Sequence, residues 1–138
     1  EKLADILRSR ITAIETIVAH VKPKLPAILS AWQAKLSSRL QEALGSVDDD
    51  RLKQEFALFA QKIDVDEELS RLVAHLSEVK RILKQGGQAG KRLDFLMQEL
   101  NREANTLGSK SVSTETTQAS VELKVLIEQM REQIQNIE

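Results

Sequence analysis

Apolar residues recur along this chain at intervals of three and four, the repeat of one helix face, and no stretch alternates as a half-buried strand would. Leu3, Leu7, Ile14, Val18 and Val21 fall on a single stripe that ends near Pro23, which predicts a first helix. Pro23 and Pro26 bracket a kink or tight turn, and Leu25, Leu29, Trp32, Leu36, Leu40 and Leu44 continue as a second stripe up to Gly45. Two amphipathic helices joined by so short a link predict an antiparallel hairpin over residues 1–47.

Asp48, Asp49 and Asp50 suit the positive end of a third helix, whose stripe is Leu52, Phe56, Phe59 and Ile63. Asp64-Val65-Asp66-Glu67 offers an N-cap followed three positions later by an acid, so the chain is expected to break and restart there. Leu69, Leu72, Leu76, Val79 and Leu83 run along the fourth helix. Gln85-Gly86-Gly87-Gln88-Ala89-Gly90 ends it, because glycines so closely spaced lose too much backbone entropy inside a helix. Leu93, Leu96, Met97, Leu100, Ala104 and Leu107 define a fifth helix, and the polar run from Gly108 to Thr117 leads to a sixth. Ser113 or Thr114 can cap that last helix, whose stripe includes Ala119, Leu123, Leu126, Met130, Ile134 and Ile137. The expected architecture is all-α: a helical hairpin over residues 1–47 followed by a small bundle over 48–138, about six helices in total.

Composition narrows the class. The 138 residues suffice for one domain with a moderate core. The chain opens on Glu1, already in a helical pattern, which suggests a longer protein extending upstream. Twenty Lys and Arg against 21 Asp and Glu leave no overall bias toward nucleic acid or anionic membrane, so any such partner must meet a local patch. The absence of Cys removes disulfides, thiolate nucleophiles and zinc–cysteine sites, and fits a cytoplasmic protein. No stretch reads as a membrane span or a signal peptide. With Trp32, Phe56, Phe59 and Phe95 as the only aromatics, an RNA-recognition sheet or an oligonucleotide-binding barrel is excluded; Phe56 and Phe59, on an apolar stripe, read as core.

Three groups of residues could do chemistry. Glu99 and Glu103, four apart, lie one above the other on a helix and could share a divalent cation, although such pairs are commonplace on solvated helices. Glu68, Arg71 and His75 step along one face beyond Asp64. Either Asp64 caps, Glu68 pairs with Arg71 and His75 is a satisfied polar residue, or His75 is an acid, base or metal ligand. Lys80, Arg81, Lys84, Lys91 and Arg92 flank the glycines with no acid between them, a surface equally suited to a phosphate backbone or to a solvated helix end. No Walker-type phosphate loop, GxSxG or HExxH pattern is present.

The stretches Ala60-Gln-Lys-Ile-Asp64-Val-Asp-Glu-Glu68-Leu-Ser-Arg71-Leu-Val-Ala-His75, Gly90-Lys-Arg-Leu-Asp94-Phe-Leu-Met-Gln-Glu99-Leu-Asn-Arg-Glu103-Ala-Asn105 onward to Ser111, and Glu122 to Glu138 closely resemble the C-terminal region of the bacterial YicC-like family. Three long blocks in order, from about Leu52 to the end, carry the resemblance, and residues 1–50 fit only in pattern. The resemblance implies a cytosolic, metal-dependent endoribonuclease acting on RNA as a homo-oligomer, a hexamer being the assembly it suggests, with Mn²⁺ or Mg²⁺ as cofactor. On that footing Asp64, Glu68, Asp94, Glu99 and Glu103 become candidate metal ligands, with His75, Glu99 and Glu103 as candidate catalytic groups. Lys80, Arg81, Lys84, Lys91, Arg92, Arg102 and Lys110 become candidate RNA contacts. The competing reading is a helical assembly and RNA-holding module without catalytic residues of its own.

Overall fold

The computed structural model describes residues 2–45, 49–87 and 89–136. Asp48, Gln88 and Ile137, assigned above to a helix start, the glycine loop and the last stripe, lie outside the described residues. Among the described residues the fold consists of six α-helices and one 3₁₀ turn, with no strand, as the periodicity predicts. Helix α1 spans Lys2–Val21; a 3₁₀ turn, Lys22–Lys24, joins it to α2, Leu25–Leu44; then follow α3, Asp49–Ile63, α4, Asp66–Gln85, α5, Gly90–Ser109, and α6, Thr114–Gln135.

The core lies where α1, α4, α5 and α6 meet. Leu7, Ile11 and Ile14 of α1, Leu72 and Leu76 of α4, Met97, Leu100 and Leu107 of α5, and Leu123 and Met130 of α6 are completely or almost completely buried together. At roughly 1.5–3 kcal/mol for each large apolar side chain removed from water, this four-helix cluster supplies the main driving force for folding.

The fold-back expected between the first two helices falls one helix later. Helix α1 packs along α6 and α4, whereas α2 touches chiefly the 3₁₀ turn and α3. Pro23 and Pro26 explain the difference: each sits in the first turn of its segment, where a missing N–H costs nothing, so the chain stays right-handed helical through Val21, Lys24 and Leu25 instead of reversing. The reversal comes after α2, which ends on Gly45 at φ 78°. Trp32 of α2 then faces Phe59 of α3, ring centroids 5.8 Å apart, with the Lys62 ammonium 5.5 Å from the Phe59 ring centre. Phe56 and Phe59 therefore do not join the main core: Phe56 is half-buried, and Phe59 keeps 39% of its surface exposed in a hairpin that contributes no buried residue from α2.

Local signals hold with small shifts. Val65 rather than Asp64 precedes α4, and the Asp64 carboxylate accepts the Asp66 N–H at 3.0 Å from one residue further out. Ser113 caps α6 by accepting the Thr116 N–H at 3.1 Å. Gly86, at φ 72°, ends α4. Helix α5, however, runs through Gly108, which the polarity of the run to Thr117 had assigned to a connection. A Cβ at Gly108 would lie 2.6 Å from the Ser120 Oγ, so the missing side chain is what lets α5 and α6 approach. No helix among the described residues is long and apolar enough to cross a membrane.

Candidate metal centre

Helices α4 and α5 pack side by side and antiparallel, because the glycine-containing turn between them is too short for anything else. The pairing sets Arg71 against Glu103 near one end and Glu78 against Arg92 near the other. His75, one turn after Arg71, thereby meets Glu99, one turn before Glu103. A ring nitrogen of His75 and one carboxylate oxygen each from Glu99 and Glu103 lie within 4.8 Å of one another. His75 and Glu99 are partly exposed and Glu103 is only 4% exposed, so the group opens to solvent on the His75 and Glu99 side and is not sealed.

Glu103 is held from behind. Arg71 Nε donates to both of its carboxylate oxygens, each at 3.0 Å. Arg71 also donates through Nη1 to Glu67 and through Nη2 to Glu68 Oε2, the latter at 3.2 Å. Glu103 first, and then Glu67, hold the guanidinium above its already high ordinary pKa, so it stays charged. Glu68, 1% exposed, accepts a further bond from Lys110 Nζ at 2.9 Å on Oε2, while its Oε1 is buried without a hydrogen-bond partner among the described residues. Lys110 and Arg71 together compensate the buried charge that Glu68 would otherwise carry alone.

Of the acidic and histidine candidates, then, the fold converges His75, Glu99 and Glu103. Glu68 stands one ion pair away, bound to the same arginine as Glu103. Asp64 lies just outside α4, accepting the Asp66 N–H, and Asp94 faces α6, accepting from Gln98 at 3.2 Å with Arg131 at 4.0 Å. Neither belongs to the three-residue group. The two clusters that look separate along the chain, one around His75 and one around Glu99, are one site in space. Arg71, seen in the sequence only as a partner for Glu68, is the residue that ties them together.

Most of the basic candidates are already paired. Lys80 meets Glu15 at 2.6 Å, Arg92 meets Glu78 at 3.0 Å, Arg81 meets Glu78 as well, Arg102 meets Glu99 at 3.9 Å and Lys110 meets Glu68. Arg81 and then Arg92 pull the Glu78 carboxyl down to about 2. The run from Lys80 to Arg92 has no acid within it along the chain, yet Glu15 and Glu78 reach it from neighbouring turns and helices. Lys84 and Lys91, on either side of the glycine turn, make no ion pair among the described residues.

The donor set suits a divalent cation. Two carboxylates and one imidazole are available at one point, and the nitrogen makes a transition dication such as Mn²⁺ a better fit than Mg²⁺, which prefers oxygen ligands. Both Glu103 oxygens are engaged by Arg71, but each keeps a second lone pair for a cation.

Residues 21–138 match the family described as "Endoribonuclease YicC-like, C-terminal", so the likeness takes in α2 and α3 as well as the three blocks quoted above. Over the whole chain the sequence is 51% identical to a protein of Haemophilus influenzae named "Probable endoribonuclease YicC" and 36% identical to one of the same name from Clostridioides difficile. In each case it covers 48% of the relative, so the chain spans about half the length of the curated proteins it matches.

Proposed function

This chain belongs to the YicC-like endoribonuclease family, and from that premise we propose that it carries the cation site of a metal-dependent endoribonuclease that hydrolyses RNA phosphodiester bonds. The observation behind this reading is the convergence of His75, Glu99 and Glu103 from two helices onto a point within 4.8 Å. The family name supplies RNA; the donor set supplies the chemistry.

When bound, a divalent cation supplies Lewis acidity toward a phosphate oxygen and makes hydroxide available near neutral pH. The protein's own part is to hold three donors at fixed separation. Arg71 orients Glu103 through two hydrogen bonds from Nε to its carboxylate oxygens and fixes the direction in which that carboxylate points. His75 would offer one ring nitrogen as a ligand, and a nitrogen engaged in ligation cannot also take up a proton, so in this reading His75 acts as a ligand rather than as a general base. Glu68 and Lys110 brace Arg71 and complete a charged wall beneath the site. Among the basic candidates Lys84 and Lys91, with no carboxylate partner among the described residues, are the most available to phosphates, and the paired Lys80, Arg81, Arg92, Arg102 and Lys110 would have to exchange a carboxylate for a phosphate to contribute.

A second reading, an assembly and RNA-holding module, draws on a different observation. Helix α2 buries none of its residues in this chain, and Leu44, Leu58 and Phe59 on the α2–α3 hairpin are exposed. We take this surface as the contact through which copies of the chain assemble, compatible with catalysis elsewhere on the molecule.

Cleavage of a labelled structured RNA by the full-length protein, with Mn²⁺, with Mg²⁺ and with chelator, tests the catalytic reading. Metal-dependent cutting that disappears in Glu99→Gln and His75→Ala, with both variants folded, supports it. Cutting at wild-type rate in both would leave only the assembly and RNA-holding role.

A further inference from the structure

We propose that Phe95 is a stacking platform for one unpaired nucleobase of the RNA, set one helical turn from Glu99. The proposal deepens the cation-site reading and rests on it for the position of that base relative to the cut. The inward face of α5 is taken by Leu93, Leu96, Met97, Leu100, Ala104 and Leu107, all buried. Phe95 lies off this stripe and keeps 56% of its surface exposed, more than Phe59, which faces Trp32.

A single exposed apolar side chain is ordinary on a protein surface. What sets Phe95 apart is its company. Arg92 precedes it by three residues, Glu99 follows by four and Arg102 by seven, spacings that place all four on one outward strip of α5. Glu99 is itself one of the three groups that meet at the candidate cation site. Along the helix an aromatic residue therefore lies between two arginines, which would exchange Glu78 and Glu99 for phosphate, and one turn from a site that takes phosphate under the reading above. This is the combination that single-stranded nucleic acid uses: cations along the backbone and a flat ring for a base.

The same features choose the class of RNA. Phe95 offers no hydrogen-bonding group, so it cannot discriminate among bases, and every base has a face to stack. In a duplex those faces are already occupied by neighbouring bases and the deep major groove keeps side chains out. The nucleotide at Phe95 is thus one in a single strand, loop or bulge, and it lies next to the phosphate at the cation site.

The test uses the full-length protein in chelator, so that binding is read without cleavage, against a short fluorescent single-stranded oligoribonucleotide and its blunt duplex. Phe95→Ala is expected to weaken the single strand about tenfold and Phe95→Trp to preserve it, with the duplex unaffected by either. An abasic nucleotide walked along the oligomer is expected, at one position, to bring the wild type down to the Phe95→Ala affinity without weakening that variant further. Equal binding by wild type and Phe95→Ala overturns the proposal, as does an equal loss on duplex. A Phe95→Ala variant whose assembly mass changes in sedimentation also overturns it, assigning the ring to a protein contact instead. Failure of the underlying reading looks different: cleavage that survives His75→Ala and Glu99→Gln in Mn²⁺ removes the cut from this strip and overturns the placement of the base beside it, whatever the chelated samples show.

Discussion

Arg71 of α4 donates one Nε hydrogen to both carboxylate oxygens of Glu103 on α5, each 3.0 Å away, and this contact joins the two halves of the candidate cation site. Changing Arg71 to Gln leaves Glu103, almost fully buried, without its main partner, while His75 and Glu99 stay in place. Loss of such an outer partner typically weakens a metal site by about 10- to 100-fold. Calorimetric titration of Mn²⁺ into Arg71→Gln should show that weakening, and an unchanged affinity would mean that Glu103 needs no help from Arg71.

Acid should also act at the opposite end of the same helix pair. Glu78 is pulled from 4.5 to about 2 by Arg81 and Arg92, the latter reaching across from α5. Because the folded carboxyl titrates lower than the unfolded one, its contribution to stability is complete above 4.5 and is lost as pH falls through that window toward 2. Thermal melts of wild type and Glu78→Gln should differ at pH 7 and converge as the pH approaches 2; a constant difference across the range would contradict the pairing.

At Gly108 the close approach of α5 and α6 is the issue. An added methyl would meet the Ser120 Oγ at 2.6 Å, and Ser120 can retreat only by giving up its 2.8 Å bond to the Ala104 carbonyl. Gly108→Ala is expected to cost about 1 kcal/mol in denaturant unfolding despite the better helix propensity of Ala. Adding Ser120→Ala should recover that loss, and a Gly108→Ala chain more stable than wild type would show that the helices have room to spare.

The α2–α3 hairpin offers a local probe, since Trp32 is the chain's single tryptophan and lies against Phe59. Phe59→Ala should shift Trp32 emission to the red while leaving the main unfolding transition near its wild-type midpoint, because neither ring belongs to the four-helix core. A large drop in that midpoint would mean that the hairpin supports the core after all.

Helix by helix, the periodicity was enough: the stripes through Leu72 and Leu76, Met97 and Leu100, and Leu123 and Met130 all point inward. Which helices pair was not legible, because Pro23 and Pro26 read equally as a turn or as first-turn residues of a continuing helical path, and only α1's burial against α6 distinguishes them. The same limit applied to the site. Glu99 and Glu103 could be placed on one face from their spacing, and Glu68 and His75 on another, but the register that sets Arg71 opposite Glu103 depends on how α4 and α5 dock. Lys80 and Arg81 looked unopposed for a related reason: Glu15 is distant in sequence, and Glu78, three before Arg81, counts as a partner only once its side chain is seen to reach both Arg81 and Arg92.

Mn²⁺ binding to the full-length protein, followed by electron paramagnetic resonance, tests most directly whether His75, Glu99 and Glu103 form a cation site. The account predicts that His75→Ala and Glu99→Gln each abolish or sharply weaken binding, whereas Asp64→Asn and Asp94→Asn, which alter carboxylates outside the cluster, bind as wild type. Equal binding by all four variants, or loss in Asp64→Asn and Asp94→Asn alone, would contradict it.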